Sequence, residues 1–260
     1  MSYPTVIFGA PDSMPYELTT GNNALAQKGR LPLGTQIVMQ DGRKFRYSLA
    51  GGTLLVVGNV ISSAAIIATD RDLTAAAGAI GDRLATFTHG AATTIANYFS
   101  EGSMVVSVAP GGGDTYKIDN HLALRNATAG DLVNFAPGHA LRQALTTTSR
   151  LDLVANPYGG VIQFPATTAT GAPVGVAVSA IAATTGMGWL QTRGPCGVLT
   201  SGTLIVGVTV SCQSGTAGSV IAPLITTTGD GTRTYQNNIG FCQVVAATGA
   251  WSTIILTLDG

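Results

Sequence analysis

The sequence predicts an all-β fold in which short antiparallel strands build a sandwich or barrel, with little helix. Short apolar runs recur along the chain and are separated by Gly, Pro, Asn or Ser-Gly, a spacing typical of such folds. Threonine is abundant, and this β-branched residue suits half-exposed strand faces. The stretch 62–100 is rich in alanine, and we expect at most one short helix within it.

Residues 1–30 are predicted to form an extended N-terminal arm. Prolines and glycines punctuate this stretch too often for a helix or a long strand. Its apolar side chains nevertheless favour burial, either against the chain's own body or against a neighbouring subunit, and we favour the neighbour. The candidate contact residues of the arm are Tyr3, Val6, Ile7, Phe8, Met14, Tyr16 and Leu18.

Residues 31–150 are predicted to be a β-rich domain with a short helical or irregular segment. Asp41 and Gly42 stand between two strand-like runs and indicate a hairpin, because a type I′ turn needs positive φ at both central residues. A second hairpin is indicated by strands at 104–108 and 115–118 around a glycine-rich loop. Asp70 and Asp72 flank an arginine and are interpreted as exposed carboxylates.

Residues 151–260 are predicted to be a second sandwich or barrel domain. Within 186–199 we expect a short strand, a turn at Gly194 and Pro195, and further short strands. Strands are expected at 161–164, 174–180, 188–192, 203–210, 218–224, 238–246 and 252–258. The residues interpreted as structural core or packing motif are Trp189, Leu190, Gln191, Tyr158 and Tyr47.

The composition favours association with a protein partner. Charged residues make up 10% of the chain and the formal net charge is zero, whereas an average domain has about 25% charged residues. A weakly charged exterior is poorly protected against association, so we expect a partner to cover part of it; the alternative is a monomer with a Ser/Thr surface. Lys and Arg form no extended cluster in the sequence, and we expect neither nucleic acid nor a membrane as partner.

No catalytic, cofactor or metal site is predicted, and we expect the chain not to be an enzyme. The glycines at 111–113 lack the Lys-Ser/Thr ending of a phosphate loop, the three histidines lack metal-ligand spacing, and no Gly-x-Ser-x-Gly elbow occurs. Cys196, Cys212 and Cys242 lack Cys-x-x-Cys spacing and are interpreted as small buried hydrophobes.

Several segments occur in a fixed order from residue 30 onward. They are RLPLGT at 30–35 with DGRKFRY at 41–47, GDTYKI at 113–118, ALTT at 144–147 with LVANPY at 153–158, and GVAV at 175–178 with GWLQTRG at 188–194. Together they resemble a family of tailed-phage virion structural proteins of the capsid decoration (cement) type, and the resemblance spans most of the chain beyond the arm.

The resemblance implies a non-enzymatic role on the outer surface of the phage head, where such proteins stabilise the capsid lattice. It implies two partners, the major capsid protein and further copies of the chain in a homotrimer. The implied location is the outer capsid surface of the virion, after synthesis in the host cytoplasm.

Three other functions stay open at the sequence level. One is another virion structural protein, such as a tail, connector or fibre component, and a second is a β-rich major coat protein. The third is a carbohydrate-binding β-protein, because the faces of Trp189 and Trp251 could stack on sugars; burial of both rings would count against it.

Overall fold

The computed structural model describes residues 5–8, 31–183, 186–212, 215–223, 226–227, 233–234 and 237–259. Strands form nearly all of its regular structure, which confirms the predicted all-β class. Within the described residues the helical structure is a single 3-10 turn, Ala68–Asp70, and none of them belongs to a helix that could cross a membrane.

The described parts of the chain contain eighteen strands. In order they are β1 (Thr5–Phe8), β2 (Gln36–Met39), β3 (Lys44–Ala50), β4 (Val60–Ser62), β5 (Leu73–Ala75), β6 (Leu84–Thr88), β7 (Ser103–Val108), β8 (Thr115–Asn120), β9 (Ala129–Phe135), β10 (Arg150–Val154), β11 (Gly159–Gln163), β12 (Pro173–Ala177), β13 (Met187–Leu199), β14 (Thr209–Ser211), β15 (Thr226–Thr227), β16 (Arg233–Thr234), β17 (Asn238–Val244) and β18 (Trp251–Thr257).

The chain divides into two compact units, and the second is inserted into the first. The body comprises residues 1–65 and Pro157–Gly260, and the inserted unit is Ile66–Asn156. This division differs from the predicted boundaries at 30 and 150. Residues 31–65 belong with the C-terminal part because β3 pairs with β11 and β13, and β4 pairs with β11 and β12.

The body is built on a ten-stranded sheet with the order β1-β2-β3-β11-β4-β12-β13-β18-β17-β14. β3 also pairs with β13, so β3, β11, β4, β12 and β13 close a ring. The predicted hairpin around Asp41 and Gly42 is confirmed as β2–β3, but the predicted type I′ turn is wrong, because Asp41 does not have positive φ. Gly42 has φ +85°, a conformation that glycine adopts without steric cost.

The arm residues are placed only in part. The backbone of Thr5–Phe8 forms β1, which pairs in parallel with β2 of the same chain; Val6 faces Ile37 and Phe8 faces Met39. Val6, Ile7 and Phe8 therefore lie in a strand at the end of the sheet. The other predicted contact residues, Tyr3, Met14, Tyr16 and Leu18, lie outside the described residues.

Strand β13 crosses the segment in which a turn was expected. Six of its first seven residues pair with β3, two of these also with β12, and residues 193–199 pair with β18. The prediction of a turn and separate short strands is wrong, because Gly194 (φ +85°) bends one continuous strand where its partners change. Pro195, which has no N–H, lies where β13 pairs with β18 alone, a position that a sheet tolerates.

Two side chains hold this bend in place. The Gln191 side-chain amide is buried and donates to the carbonyls of Arg193 (3.0 Å) and Pro195 (2.9 Å). Arg46 of β3 makes a bidentate ion pair with Asp259, at 2.6 and 2.9 Å. Burial acts to raise the pKa of Asp259, but the hydrogen bonds and charge of Arg46 outweigh it and hold that pKa below its usual value.

Trp189 occupies the body core beneath β3. It is 1% exposed, and its ring lies 5.1 Å from that of Tyr47. The Tyr47 hydroxyl donates to the sulfur of Met187, at 3.1 Å. Leu190 is fully buried in a second apolar cluster on the other side of β13. The half-buried Tyr158 packs against this cluster and against the cluster that contains Trp189. Trp189 therefore packs in an apolar core and not in an open cleft lined by charged groups.

All three cysteines are buried and free, in one apolar cluster of the body. Burial raises the pKa of Cys196 and of Cys212 to about 12 and also raises that of Cys242. The thiols are therefore protonated at neutral pH and pack as small hydrophobes, as the sequence indicated.

Two predicted strands of the body are much reduced. Of the segment 203–210, only the end from Thr209 is a strand. The described part of 218–224 contributes isolated bridges through Val220 and Ile221. Both stretches have strand-like composition, but they lack a continuous neighbour, and an unpaired apolar run does not form a strand.

The inserted unit is a closed six-stranded barrel with the order β10-β5-β6-β9-β8-β7. The predicted hairpin at 104–118 is confirmed as β7–β8. Alternate residues of each strand point inward and fill the barrel, as expected for so few strands. Among them Tyr116 and Phe135 stack with ring centroids 4.9 Å apart.

One end of the barrel is closed by buried polar side chains. Asp70 Oδ1 lies 2.8 Å from Nε2 of His89, and both side chains are almost completely enclosed. His89 Nδ1 lies 3.1 Å from the Ala92 carbonyl, which can only accept, so Nδ1 carries a proton. The prediction that Asp70 is exposed is wrong, because His89, nineteen residues further on, supplies the partner that makes its burial tolerable.

His121 lies at the same end and is held as one neutral tautomer. Its Nδ1–H donates to the Leu122 carbonyl (2.7 Å), and its Nε2 accepts the Phe99 amide (3.0 Å). Burial, the largest cause, and the nearby His89 lower the pKa of His121 against the opposing effects of the Leu122 carbonyl and Asp70. Protonation of Nε2 would also break the bond from Phe99.

We predict that His121 makes barrel stability pH-dependent in mildly acid solution. Its folded pKa lies below the unfolded value of about 6.5, so its stabilising contribution is complete above that pH and is lost as pH falls toward the folded pKa. His121→Gln keeps an acceptor for the Phe99 amide and does not titrate. Calorimetry between about pH 7.5 and 4.5 should show a smaller fall in Tm for this variant than for the wild type; an equal fall would contradict the assignment.

Candidate interaction surface

Among the residues that the structure describes, no three His, Cys, Asp or Glu side chains come close enough to hold a metal ion. The Asp70–His89 pair is enclosed in the barrel and cannot reach a substrate, so it stabilises the unit. The notable surface of the body is instead apolar.

This surface is formed by the outer side of four neighbouring strands, β13, β18, β17 and β14. Residues that face each other across paired strands point to the same side. Pro195 faces Ile255 across β13 and β18, and Ile255 faces Phe241 across β18 and β17. Phe241 in turn faces Thr209 of β14. One continuous row therefore crosses all four strands.

Two shorter rows lie beside the first. Thr253 of β18 lies between Gly197 of β13 and Val244 of β17, and Leu199 faces Trp251. The exposed fractions are 37% for Ile255, 44% for Phe241, 55% for Val244 and 58% for Trp251. We call this set the apolar face; its residues are Pro195, Gly197, Leu199, Thr209, Phe241, Val244, Trp251, Thr253 and Ile255.

The opposite side of the same strands is the core of the body. Cys196, Val198, Ile254 and Leu256 alternate with the apolar-face residues and are buried. An antiparallel sheet with one solvated side normally alternates apolar and polar residues. Here the exposed side carries large apolar side chains between threonine and glycine residues, and no charge except Arg193 at one end, an arrangement closer to that of strands covered on both faces.

Charge is nearly absent from these strands. β14, β17 and β18 contain no Asp, Glu, Lys or Arg, and β13 contributes only Arg193, beside Thr257 at one end. Apart from Arg193, this surface therefore has no charged side chain that could pair with a charged ligand. Its chemistry suits an apolar, uncharged partner surface.

Trp251 is held close to the backbone by a glycine. Gly58 has φ +77°, and a Cβ built on it would lie 2.3 Å from Nε1 of Trp251. The Gly58 carbonyl accepts the amide of Leu199 (2.8 Å), which fixes this turn to β13. The indole is thus placed against the sheet by a contact that only glycine permits, and it keeps a large exposed area.

The sequence-predicted contact residues and the apolar face are at different places in the sheet. β1, which carries Val6, Ile7 and Phe8, is the first strand in the sheet order, and β14 is the last. Sequence reasoning recognised Trp251 only as a possible sugar-stacking ring and missed the face. The available signal was the absence of charge from both alternating sides of 238–244 and 251–257.

Comparisons with protein-family models, with curated proteins and with solved structures find no match for this chain. The interpretation of the apolar face therefore rests on its geometry and chemistry.

We predict that Gly58→Ala displaces the Trp251 indole. The new Cβ has no room beside Nε1, and positive φ costs a non-glycine residue about 1–2 kcal/mol. Gly42→Ala is the matched control, because Gly42 also has positive φ but nothing lies within 4 Å of its built Cβ. In ¹H–¹⁵N spectra the Trp251 indole signal, assigned with Trp251→Phe, should shift in Gly58→Ala only. A shift of similar size in both variants would count against the contact.

Proposed function

We propose that this chain is a non-enzymatic virion structural protein that decorates the outer surface of a phage capsid and stabilises its lattice. The observation that carries the proposal is the apolar face, a sheet surface whose composition is that of a buried one. Its partners in this role are the major capsid protein and further copies of the chain, arranged as a homotrimer on the virion surface.

A protein partner explains the apolar face better than a sugar does. Trp251 is exposed and could stack on a pyranose ring, whereas Trp189 is buried. Sugar recognition also needs convergent polar groups that fix the hydroxyls, and the only charged side chain of the four strands is Arg193 at one end. Apolar contact without charge is what protein surfaces bury at the centre of an interface.

A decoration role also suits the energetics. Apolar area removed from water contributes about 25 cal/mol per Å², so a contact of this size is modest for a single copy. Copies held on a lattice bind with the avidity of many sites. The arm adds a second contact in this proposal: Val6, Ile7 and Phe8 are the described part of it, and removal of residues 1–29 is expected to leave a folded body that no longer binds capsids.

The first test of this proposal is the copy number of the chain in purified virions. Quantitative mass spectrometry should give a ratio of order one to the major capsid protein, because a decoration protein covers the whole shell. A ratio of a few per cent would favour the alternative of a tail, connector or fibre component. Absence from particles would overturn the proposal.

The second test uses variants and heads stripped of the protein. The exposed part of the Trp251 side chain is on the order of 100 Å², so Trp251→Ser should weaken binding by about tenfold to a hundredfold. Ile80→Ser is the matched control, because Ile80 is 69% exposed but belongs to the inserted barrel. Equal binding by the wild type, Trp251→Ser and the chain lacking residues 1–29 would refute both proposed contacts.

A further inference from the structure

We propose that the apolar face is covered by the apolar face of a second copy of this chain, with the two sheets packed face to face. The inference rests on the proposed function, because it names the partner of that same surface. It adds a contact between copies that is separate from the three-fold arrangement expected of a homotrimer and from the contact with the capsid.

An identical partner suits the charge of the face. When a surface packs on an identical surface about a two-fold axis, a charge close to the axis is brought near its own copy, and like charges in contact are costly. β14, β17 and β18 carry no charged residue. Arg193 of β13 lies at the end of the face beside Thr257, and the Arg43 side chain packs against Gly194 at the same end, so both charges are away from an axis through the centre of the face.

The sizes of the outward side chains of β18 also suit an identical partner. Its outward side chains are Trp251, Thr253 and Ile255, a small residue between two large ones. A two-fold axis that lies between the two sheets and crosses β18 at a right angle near Thr253 places the two copies of this threonine together. The same axis sets Ile255 of one copy against Trp251 of the other, so the large side chains at both ends of β18 contact each other rather than water. Two sheets pack in this way about 10 Å apart.

The size of the face sets the strength of the contact. Four strands span three spacings of about 4.8 Å, and seven residues of β13 span about 20 Å, giving roughly 300 Å² of sheet per copy. Two copies then bury on the order of 600 Å², well below the ~1,000 Å² that a stable interface needs. The contact is therefore weak in dilute solution and becomes effective where copies are concentrated, as on a shell.

A charge-swap experiment at Thr253 tests this contact. Thr253 is only partly buried and its neighbours on the face are uncharged, so Thr253→Lys and Thr253→Glu are expected to fold, as checked by near-UV circular dichroism and Tm. Sedimentation equilibrium of the full chain is measured from about 10 µM to about 1 mM, the range for so small an interface. The weight-average mass of the wild type should rise with concentration from that of the smallest assembly present.

Each Thr253 variant alone should lose this rise, because two lysines or two glutamates meet at the axis. An equimolar mixture of the two should regain it, because opposite charges then face each other. Ile80→Lys, which places a charge on an exposed site of the barrel, should keep the rise. A flat wild-type mass, or a mixture that stays as dissociated as its components, would overturn the inference.

Binding to stripped heads separates this inference from the proposed function. If copies meet through the face, the mixture of Thr253 variants should also regain head binding that each variant alone has lost. If each variant and the mixture all fail to bind heads, the capsid itself covers the face; the inference is then overturned and the proposed function stands. If the wild type does not bind heads at all but still self-associates, the proposed function fails and the contact between copies survives.

Discussion

The body depends on one strand, β13, because no other strand joins so much of the sheet. Its first half closes a ring with β3 and β12, and its second half carries β18 and, through it, β17 and β14. The change of partner requires a bend, which Gly194 permits and the Gln191 amide secures through two carbonyls. Beyond Gly194, exposed and buried residues alternate along β13, so one side of its second half is a surface while the other side remains core.

Local signals of the sequence predicted the features that depend on local conformation. Asp41 and Gly42 marked a hairpin because the tolerance of glycine for positive φ is a property of that residue itself; Gly42 has this conformation, and Asp41 does not. The prediction of a turn from local residues failed at Gly194 and Pro195, where another turn-forming pair lies inside a paired strand. The inserted barrel could not be predicted in this way, because its limits depend on β3 and β4 pairing with strands a hundred residues later.

Burial of polar groups shows the same division between local and distant causes. Asp70 stands in a charged tripeptide, which favours exposure. Its carboxylate is nevertheless enclosed, because His89, which directly follows β6, lies within hydrogen-bonding distance of it. The apolar face is the converse case. β17 and β18 were predicted almost in full, whereas a turn was expected inside β13 and only the end of the segment 203–210 became a strand. The sequence shows that both alternating sides lack charge but not which side faces the core; the register of β18 between β13 and β17 shows which side is exposed.

An uncharged sheet surface is a liability for a protein that must stay soluble before it assembles. In the proposed contact between copies the liability is limited by size, because a face of roughly 300 Å² would hold two copies together only weakly at low concentration. The same weakness is useful on a lattice, since contacts that are reversible one at a time allow copies to adjust before many of them act together. A larger or charged face would shift that balance, the first toward premature aggregation and the second toward repulsion between neighbours. The small, neutral face of β13, β18, β17 and β14 therefore fits a chain that associates where it is concentrated by another surface.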